Sequence, residues 1–516
     1  MRALVSVSDK SGLVEFVSGL QGMGWEIIAT GGTQKLLESK GVKTIGISEV
    51  TGFPEICDGR VKTLHPKVHG GILARRDVPE HMETLRENGI ETIDMVVVNL
   101  YPFRQTIAKE GVTMEDAIEN IDIGGPSMVR SAAKNWRDVT IVCDPADYDT
   151  VLAELKANGN TSRETRLKLS AKAYTHTAQY DSCIATYMRK QAGLPEKLFL
   201  EYDIKQPLRY GENPHQSANF YAQCTGVGTS PVSKAFALPF ATQIQGKELS
   251  YNNIQDANAA LSILRDFDEP FCVALKHMNP CGAAVAPTIE QAWQAAFEAD
   301  KVSIYGGIVG VNRELTAEVA LGMKPIFLEI VIAPSYTPEA LEILATKKNL
   351  RVMQVDMTKS SSPVTQYVGV AGGMLVQQQD TYVETLKPEM CVTKVQPAAE
   401  IMSDMQFGWK IVKHVKSNAI AVVRDGHTIG VGAGQTNRVG SAEIALKQAQ
   451  AAGFTSGLIL ASDGFLPFDD TVALAAKYGV TAIVQPGGSI RDGECIAKAD
   501  ELGICMLCTG VRHFKH

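Results

Sequence analysis

The 516-residue sequence predicts an α/β protein: a doubly wound parallel sheet at the N-terminus, then a larger region of two α/β subdomains. Three observations carry this. Short apolar runs alternate with helix-length segments from the first residues onward, the pattern of parallel strands with right-handed crossovers. Gly-, Ser- and Thr-rich turns end several of the apolar runs, where open α/β sheets place their chemistry. The chain is also too long for one core, so two to four domains are expected.

Residues 4–7 read as the first strand, and Ser8-Asp9-Lys10-Ser11 as the cap of the helix after it. Residues 25–29 form the next strand. Thr30-Gly31-Gly32-Thr33 then opens a helix over 34–40 that Gly41 stops. Further strands fall at 95–100 and 139–142, and a long helix at 163–191 runs to the Gly193-Leu194-Pro195 break. That break sets domains at 1–195 and 196–516, the second divided near 375. Its strands are expected at 271–275, 302–304, 330–332, 419–423, 457–461 and 482–485, with helices at 288–299 and 441–452. No clean repeat is visible, and Lys276-His277 and Lys416-Ser417-Asn418 are candidates for equivalent strand-end positions.

Hydrophobic residues at 45% and charged residues at 21% are ordinary for a globular chain. A net charge of -7 argues against nucleic acid but leaves room for local basic pockets. No apolar run approaches the roughly 18 residues that span a membrane. The chain enters a strand directly, without a signal-peptide core, so a cytoplasmic location is expected. The ten cysteines are scattered as reduced structural cysteines are. Cys505-Met-Leu-Cys508 lies in an apolar run and reads as buried structure. His81-Met82-Glu83 matches half of a zinc-deaminase signature, but Pro280-Cys281 is followed by Gly-Ala-Ala, so no catalytic metal is expected.

Two groups of motifs carry chemistry. In the first, Thr30, Gly31, Gly32 and Thr33 are either an ordinary turn or a phosphate cradle, in which glycines let N–H groups approach an anion. Ser8, Asp9 and Lys10 end the neighbouring strand and converge on the same edge. Arg60, Lys62 and Lys67, with Thr63, make a basic loop rich in breakers that suits an anionic ligand. His65 and His69 are four apart, but Pro66 argues against a helical metal pair. Asn99 and Tyr101 end a strand, Asp122 lies in a Gly-rich turn, and Lys134 follows on a helix. Tyr101, Asp122 and Lys134 form a proton-handling trio if the fold brings them together.

The second group centres on Lys276-His277-Met278-Asn279-Pro280-Cys281-Gly282, an apolar strand ending in Lys and His and then breaking at Asn-Pro and Gly. A cation beside an imidazole opposes its protonation, a setting in which His277 serves as a base; the alternative is an exposed Lys beside a structural His. Gly430-Val-Gly432-Ala-Gly434 has Gln435 where a dinucleotide fingerprint needs its third glycine, so no NAD site is read there.

In order along the chain stand Ser-Asp-Lys, Thr-Gly-Gly-Thr, Gly-Arg-Val-Lys-Thr-Leu-His-Pro (59–66), Asn-Leu-Tyr-Pro-Phe (99–103), Ile-Asp-Ile-Gly-Gly (121–125) and Ala-Ala-Lys-Asn (132–135). Arg-Tyr-Gly-Glu-Asn-Pro-His-Gln (209–216), Lys-His, Gly-Ala-Gly-Gln (432–435), Ser-Asp-Gly-Phe-Leu-Pro-Phe (462–468) and Arg-His-Phe (512–514) follow. This series resembles the bifunctional purine-biosynthesis family that joins AICAR transformylase to IMP cyclohydrolase.

The resemblance implies a methylglyoxal-synthase-like N-terminal domain and a pair of cytidine-deaminase-like subdomains. It implies formyl transfer from 10-formyltetrahydrofolate, as co-substrate, to AICAR, then closure of the formylated product FAICAR to IMP, with no tightly bound cofactor and no metal. For transfer it implies His277 as base, Lys276 as acid and oxyanion partner, and Asn418 beside them. AICAR contacts fall on Arg209, Tyr210, Gly306, Arg438, Phe465 and Arg512, and on Glu329 where the family has Asp. Folate contacts fall on Val439, Asp470, Ser489 and Ile490. For closure, Lys134 is tuned by Tyr101 and Asp122. Lys62 and Arg60 polarise oxygen, and Ser8, Asp9, Lys10, Thr30 to Thr33, Thr63 and Asn99 hold the nucleotide. A homodimer with a shared transformylase site is implied. Two other readings account for less of the chain. A regulatory sugar-phosphate module explains the Thr-Gly-Gly-Thr turn but leaves some 300 residues unused. A zinc hydrolase lacks its ligands.

Overall fold

Met95, Val96, Val97 and Val98 are all buried, without the alternation of a half-exposed strand, as a parallel sheet covered on both faces requires. The computed structural model describes residues 1–224, 234–359 and 364–516. These fall into two units, residues 1–201 and the described residues from Tyr202 to His516.

The first unit is a five-stranded parallel sheet of β1 (Arg2–Val7), β2 (Glu26–Ala29), β3 (Ile45–Gly46), β4 (Met95–Asn99) and β5 (Thr140–Val142), in the order β3-β2-β1-β4-β5. The order reverses at β1, which is the doubly wound plan. Pairs Val5↔Ala29 and Val7↔Asn99 bring the C-terminal ends of three strands to one edge. The long helix Arg163–Gln191 is where the sequence places it. β3, two residues long, was not anticipated. Two local expectations are corrected. The first helix, Leu13–Gly22, starts behind Gly12 in a left-handed conformation, and no side chain caps it. Asp9 instead accepts from the Ser11 N–H and hydroxyl, at 2.9 and 2.6 Å. The second helix, Gly31–Ser39, takes both glycines into its first turn and does not wait for residue 34.

The second unit holds an eleven-stranded sheet and two small hairpins, β6 (Tyr202–Leu208) with β7 (Ala218–Gln223), and β14 (Thr365–Val370) with β15 (Gly373–Gln378). The large sheet begins with β8 (Thr242–Gln245), β9 (Phe271–Lys276), β10 (Asn279–Val285), β11 (Ile308–Val311), β12 (Ile330–Ala333) and β13 (Arg351–Gln354). It continues with β16 (Ile420–Arg424), β17 (His427–Gly432), β18 (Leu458–Ser462), β19 (Val480–Gln485) and β20 (Cys505–Cys508). Its order is β20-β19-β18-β16-β17-β10-β9-β11-β12-β13-β8.

This sheet contains one plan twice. A helix (Tyr251–Leu264 or Ala399–Val412) leads into a hairpin (β9–β10 or β16–β17). Three helix–strand steps follow, ending in β11, β12 and β13, or in β18, β19 and β20. The halves join where β10 and β17 run antiparallel at Ala284↔His427, so the two expected subdomains share one continuous sheet. The join reverses one half against the other.

Three expectations for this region change. The strand expected at 302–304 is a turn, with Val302 84% exposed, and β11 begins only after Gly306 and Gly307. Asn279 to Gly282 does not break the chain, because it opens β10 and pairs with β9 from Asn279↔Lys276 onward. Pro280 is accommodated at a bulge in that ladder. The turn is His277–Met278, both at positive φ (54° and 61°), as in the two-residue hairpins whose twist matches their strands. The same construction at Asp425–Gly426 (φ 52° and 72°) makes Arg424-Asp425, and not Lys416 to Asn418, the counterpart of Lys276-His277.

Candidate active sites

In the first unit, Asn99 at the end of β4 ties the sheet edge together. Its Oδ1 accepts from the Ser8 and Asp9 N–H groups at 2.6 and 2.9 Å, and its Nδ2 donates to the Asp9 carbonyl at 2.9 Å. The Thr30 hydroxyl pairs with Ser6 at 2.7 Å, and the Thr33 hydroxyl bridges the backbone N–H and carbonyl of Val7. Both hydroxyls are thus committed to the sheet. The helix Gly31–Ser39 begins without a side-chain cap, which leaves its positive end open to an anion.

These groups line a cavity of about 620 Å³ with Lys10, Arg60, Lys62, Thr63, Tyr101 and Asp122. Two of its cations stand in ion pairs, Lys62 with Glu55 at 2.9 Å and Arg60 with Glu119. A Cβ on Gly31 would lie 3.5 Å from the Lys62 ammonium, and one on Gly124 would lie 2.6 Å from the Thr63 hydroxyl. Glycine is therefore what lets the second of these turns close on the pocket. Burial holds the Asp122 carboxyl above its ordinary range, against hydrogen bonds from the backbone of Gly125 and Tyr101. The Gly125 N–H donates to it at 2.8 Å, and the Tyr180 hydroxyl accepts from the Asp122 N–H at 2.7 Å.

The structure brings Tyr101 and Asp122 together but not Lys134. Lys134 is the exposed last residue of the helix Gly124–Lys134, whose first turn forms the pocket wall. At 1.5 Å per residue it stands about 15 Å away along the axis, so the expected trio is a pair in this chain. The basic loop also ends sooner than expected: Pro66–Leu73 is a helix, and the His65 ring caps it by accepting from the Lys67 N–H at 3.1 Å. His69 pairs with the Ser131 hydroxyl at 2.9 Å. Among the described residues no three His, Cys, Asp or Glu side chains group closely enough to hold a metal ion.

In the second unit one edge of the large sheet collects the predicted residues. Because the halves are reversed, this edge takes the end of β9, the starts of β11 and β12, the start of β16, and the C-terminal ends of β17, β18, β19 and β20. Lys276 and His277, Gly306, Glu329, Asn418, Arg438, Phe465, Ser489 and Arg512 all flank those ends. Val439 and Asp470 begin helices there, and Ile490 is fully exposed. Arg209 and Tyr210 follow β6, outside the large sheet, with the guanidinium 5.8 Å from the Tyr ring.

The local contacts are specific. Lys276 Nζ donates to the Tyr305 carbonyl at 2.9 Å, beside Gly306. Asp256 Oδ1 accepts from the Met278 N–H at 2.7 Å, and burial raises the Asp256 carboxyl despite that bond. Glu329 is paired with the buried Arg351 at 2.7 Å. Arg438 is buried: Nη2 donates to Asn418 Oδ1 at 2.8 Å, and Nη1 donates to Ser462 Oγ at 2.9 Å and to Asp463. Asp463, wholly buried, also accepts from the Ser417 hydroxyl and, at 3.2 Å, from the Ala419 N–H. Sequence reasoning missed Asp463 as a site residue. An Asp closing the apolar run of β18 was the available signal, since a buried carboxylate needs several donors.

The fold and these two edges define an α/β enzyme with two polar sites, one on each unit. A family model described as "MGS-like domain" matches residues 12–127, and one described as "AICARFT/IMPCHase bienzyme" matches residues 132–448. "Bifunctional purine biosynthesis protein PurH" of Bacillus cytotoxicus is 57% identical over 517 residues, covering 100% of this chain and 99% of the relative. The protein of the same description from Streptococcus thermophilus is 57% identical over 521 residues, with the same coverage. A solved structure described as "Crystal structure of ForH" is 38% identical over 36% of this chain and 95% of its own, with a TM-score of 0.33. The chain belongs to the AICARFT/IMPCHase bienzyme family and is a bifunctional enzyme of purine biosynthesis.

Proposed function

We propose that the second unit transfers the formyl group of 10-formyltetrahydrofolate to the 5-amino group of AICAR, and that the first unit closes the product, FAICAR, to IMP. The observation that carries this reading is the convergence of Lys276, His277 and Asn418 on one sheet edge. The aromatic amine is a weak nucleophile. His277 takes its proton as nitrogen attacks the formyl carbon, and Lys276 and Asn418 stabilise the tetrahedral oxyanion. The C–N bond to folate then breaks, and the departing nitrogen takes a proton from Lys276. Arg438 holds Asn418 in place. Arg209, Tyr210, Gly306, Phe465 and Arg512 hold the nucleotide, and Val439, Asp470, Ser489 and Ile490 hold the folate. Glu329 reaches the nucleotide only by sharing its carboxylate with Arg351.

Ring closure is intramolecular, so orientation supplies much of the rate. The carboxamide nitrogen attacks the formyl carbon, and water leaves. The open helix start at Thr30 to Thr33, with Ser8, Asp9, Lys10, Thr63 and Asn99, receives the nucleotide. On binding, Arg60 and Lys62 leave their glutamate partners for the nucleotide. Asp122, whose carboxyl pKa burial raises, exchanges protons beside Tyr101, and Lys62 steadies the polarised oxygen. The same reading carries a homodimer that shares its transformylase site and a cytoplasmic location. Sedimentation of the purified chain tests the first of these.

The deciding experiment follows absorbance while the protein turns over AICAR and 10-formyltetrahydrofolate, with IMP measured separately. Tetrahydrofolate matched by IMP is expected. Accumulating FAICAR would remove the first-unit assignment, and no release of tetrahydrofolate would remove the second-unit assignment.

A further inference from the structure

Asn279, the first residue of β10, makes two different bonds with one amide. Nδ2 donates to the His277 carbonyl at 3.0 Å, and Oδ1 accepts from the Lys416 N–H at 2.9 Å. The partners fix the orientation of the amide, since a carbonyl only accepts and an N–H only donates. Lys416 stands two residues before Asn418. That segment is held from its other side by Ser417 N–H on the Lys515 carbonyl at 2.8 Å and by Gly434 N–H on the Lys416 carbonyl at 2.7 Å.

The His277 turn ends β9 and the Asn418 segment precedes β16. In the sheet these strands are separated by β10 and β17, so no ladder joins the two segments. The Asn279 side chain spans that gap. The turn also has need of a hold, because two consecutive non-glycine residues at positive φ are a conformation that L-residues avoid. Asp256 holds its N–H side, and Asn279 its carbonyl side. At the second hairpin the equivalent residue, His427, approaches the Asp425 carbonyl at 3.3 Å and packs edge-to-face with Phe454.

We infer that Asn279 is a positioning residue for formyl transfer, coupling the His277 turn to the segment that carries Asn418. The inference rests on the proposed roles of His277 and Asn418. Its test uses full-length Asn279→Asp, Asn279→Ala and His277→Ala, assayed for formyl transfer and for ring closure, with circular dichroism on the same preparations. Asn279→Asp keeps the acceptor for Lys416 and loses the donor for His277, and Asn279→Ala loses both. In both, kcat for transfer is expected to fall about 10-fold or more, with KM for either substrate within about threefold, since a sub-ångström misplacement suffices. Ring closure is expected to be unchanged. A transfer kcat within about twofold of the parent, a loss carried by KM, or losses in both variants that track lost dichroism overturns the coupling. Persistence of transfer in His277→Ala overturns the proposed role of His277, and the inference with it. An inactive His277→Ala beside normal Asn279 variants overturns the inference alone.

Discussion

The two hairpins of the large sheet are built alike and differ at their tips. Each is preceded by a helix whose sixth residue is Asp: Asp256 in Tyr251–Leu264 and Asp404 in Ala399–Val412. Asp256 accepts from the Met278 N–H at 2.7 Å, and Asp404 from the Asp425 and Gly426 N–H groups at 2.8 and 2.7 Å. Both turns sit at positive φ. The second is made of Asp-Gly, which such turns prefer. The first is made of His-Met, which they do not. A clamp that recurs where no chemistry is proposed belongs to the fold. The residues that break the turn's local rule only in the first hairpin are where function has displaced propensity.

Reversal of the halves decides what each tip meets. The His277 tip shares its edge with the C-terminal ends of β18, β19 and β20, the edge at which parallel strands present their loops. The Asp425 tip shares its edge with the C-terminal ends of β11, β12 and β13, where Asn312 closes the loop onto the Phe267 and Glu269 carbonyls at 3.1 and 2.8 Å. The first composite edge carries the predicted site residues, and on the second Asn312 ties one loop down.

The largest effect is expected from His277→Ala, which should lower formyl transfer about 10²- to 10⁴-fold as loss of a general base does, with ring closure intact. Asp425→Ala at the matching tip should leave both rates unchanged, and an equal loss there would end the comparison. Asp256→Ala and Asp404→Ala should each lower the urea midpoint of the second unit by the equivalent of about 1 kcal/mol. Only the first should slow transfer. Gly426→Ala, at φ 72° with the Val285 carbonyl 3.2 Å from its new Cβ, should cost about 1 kcal/mol. Met278→Gly should be neutral or stabilising by less than about that amount, and thermal unfolding of the pair would sharpen the strain argument.

The smallest effect concerns the tail behind the active edge. His513 is buried, which alone would lower its pKa, but hydrogen bonds with Asp380 and Glu384, at 2.6 and 3.0 Å, outweigh burial and raise it. A raised folded-state pKa means that the charged clamp stabilises fully below the ordinary His range and fades as pH rises through the folded value. The gap in melting temperature between the parent and His513→Gln should therefore narrow from pH 6 to pH 8. A gap that widens would contradict the assigned charge.

Much of both sites was legible because the motifs are local. Thr30 to Thr33, Asn99, Tyr101 and Asp122 each end a strand or open a helix within a few residues, and a parallel sheet delivers such ends to one edge whatever lies between. Lys134 shows the limit. Its motif is local too, but ten residues of helix carry it away from the pocket that the same helix begins. Asp463 and Asn279 were passed over because their partners lie 46 and 137 residues away in sequence. Nothing local marks such a bond.

The sequence by itself determined the alternation of strands and helices, the doubly wound first sheet and the family. Period, breakers and motif order are properties of short windows, and windows fold by near-neighbour rules. Only the tertiary structure decided that two halves with no visible repeat share one sheet, and that their reversal sets a hairpin tip against the strand ends of the other half. Those relations depend on the antiparallel join at Ala284↔His427. The Val285 N–H on the Gly426 carbonyl and the Ala283 N–H on the Thr428 hydroxyl, both at 2.9 Å, make that join between residues far apart in sequence, and nothing local marks such a pairing.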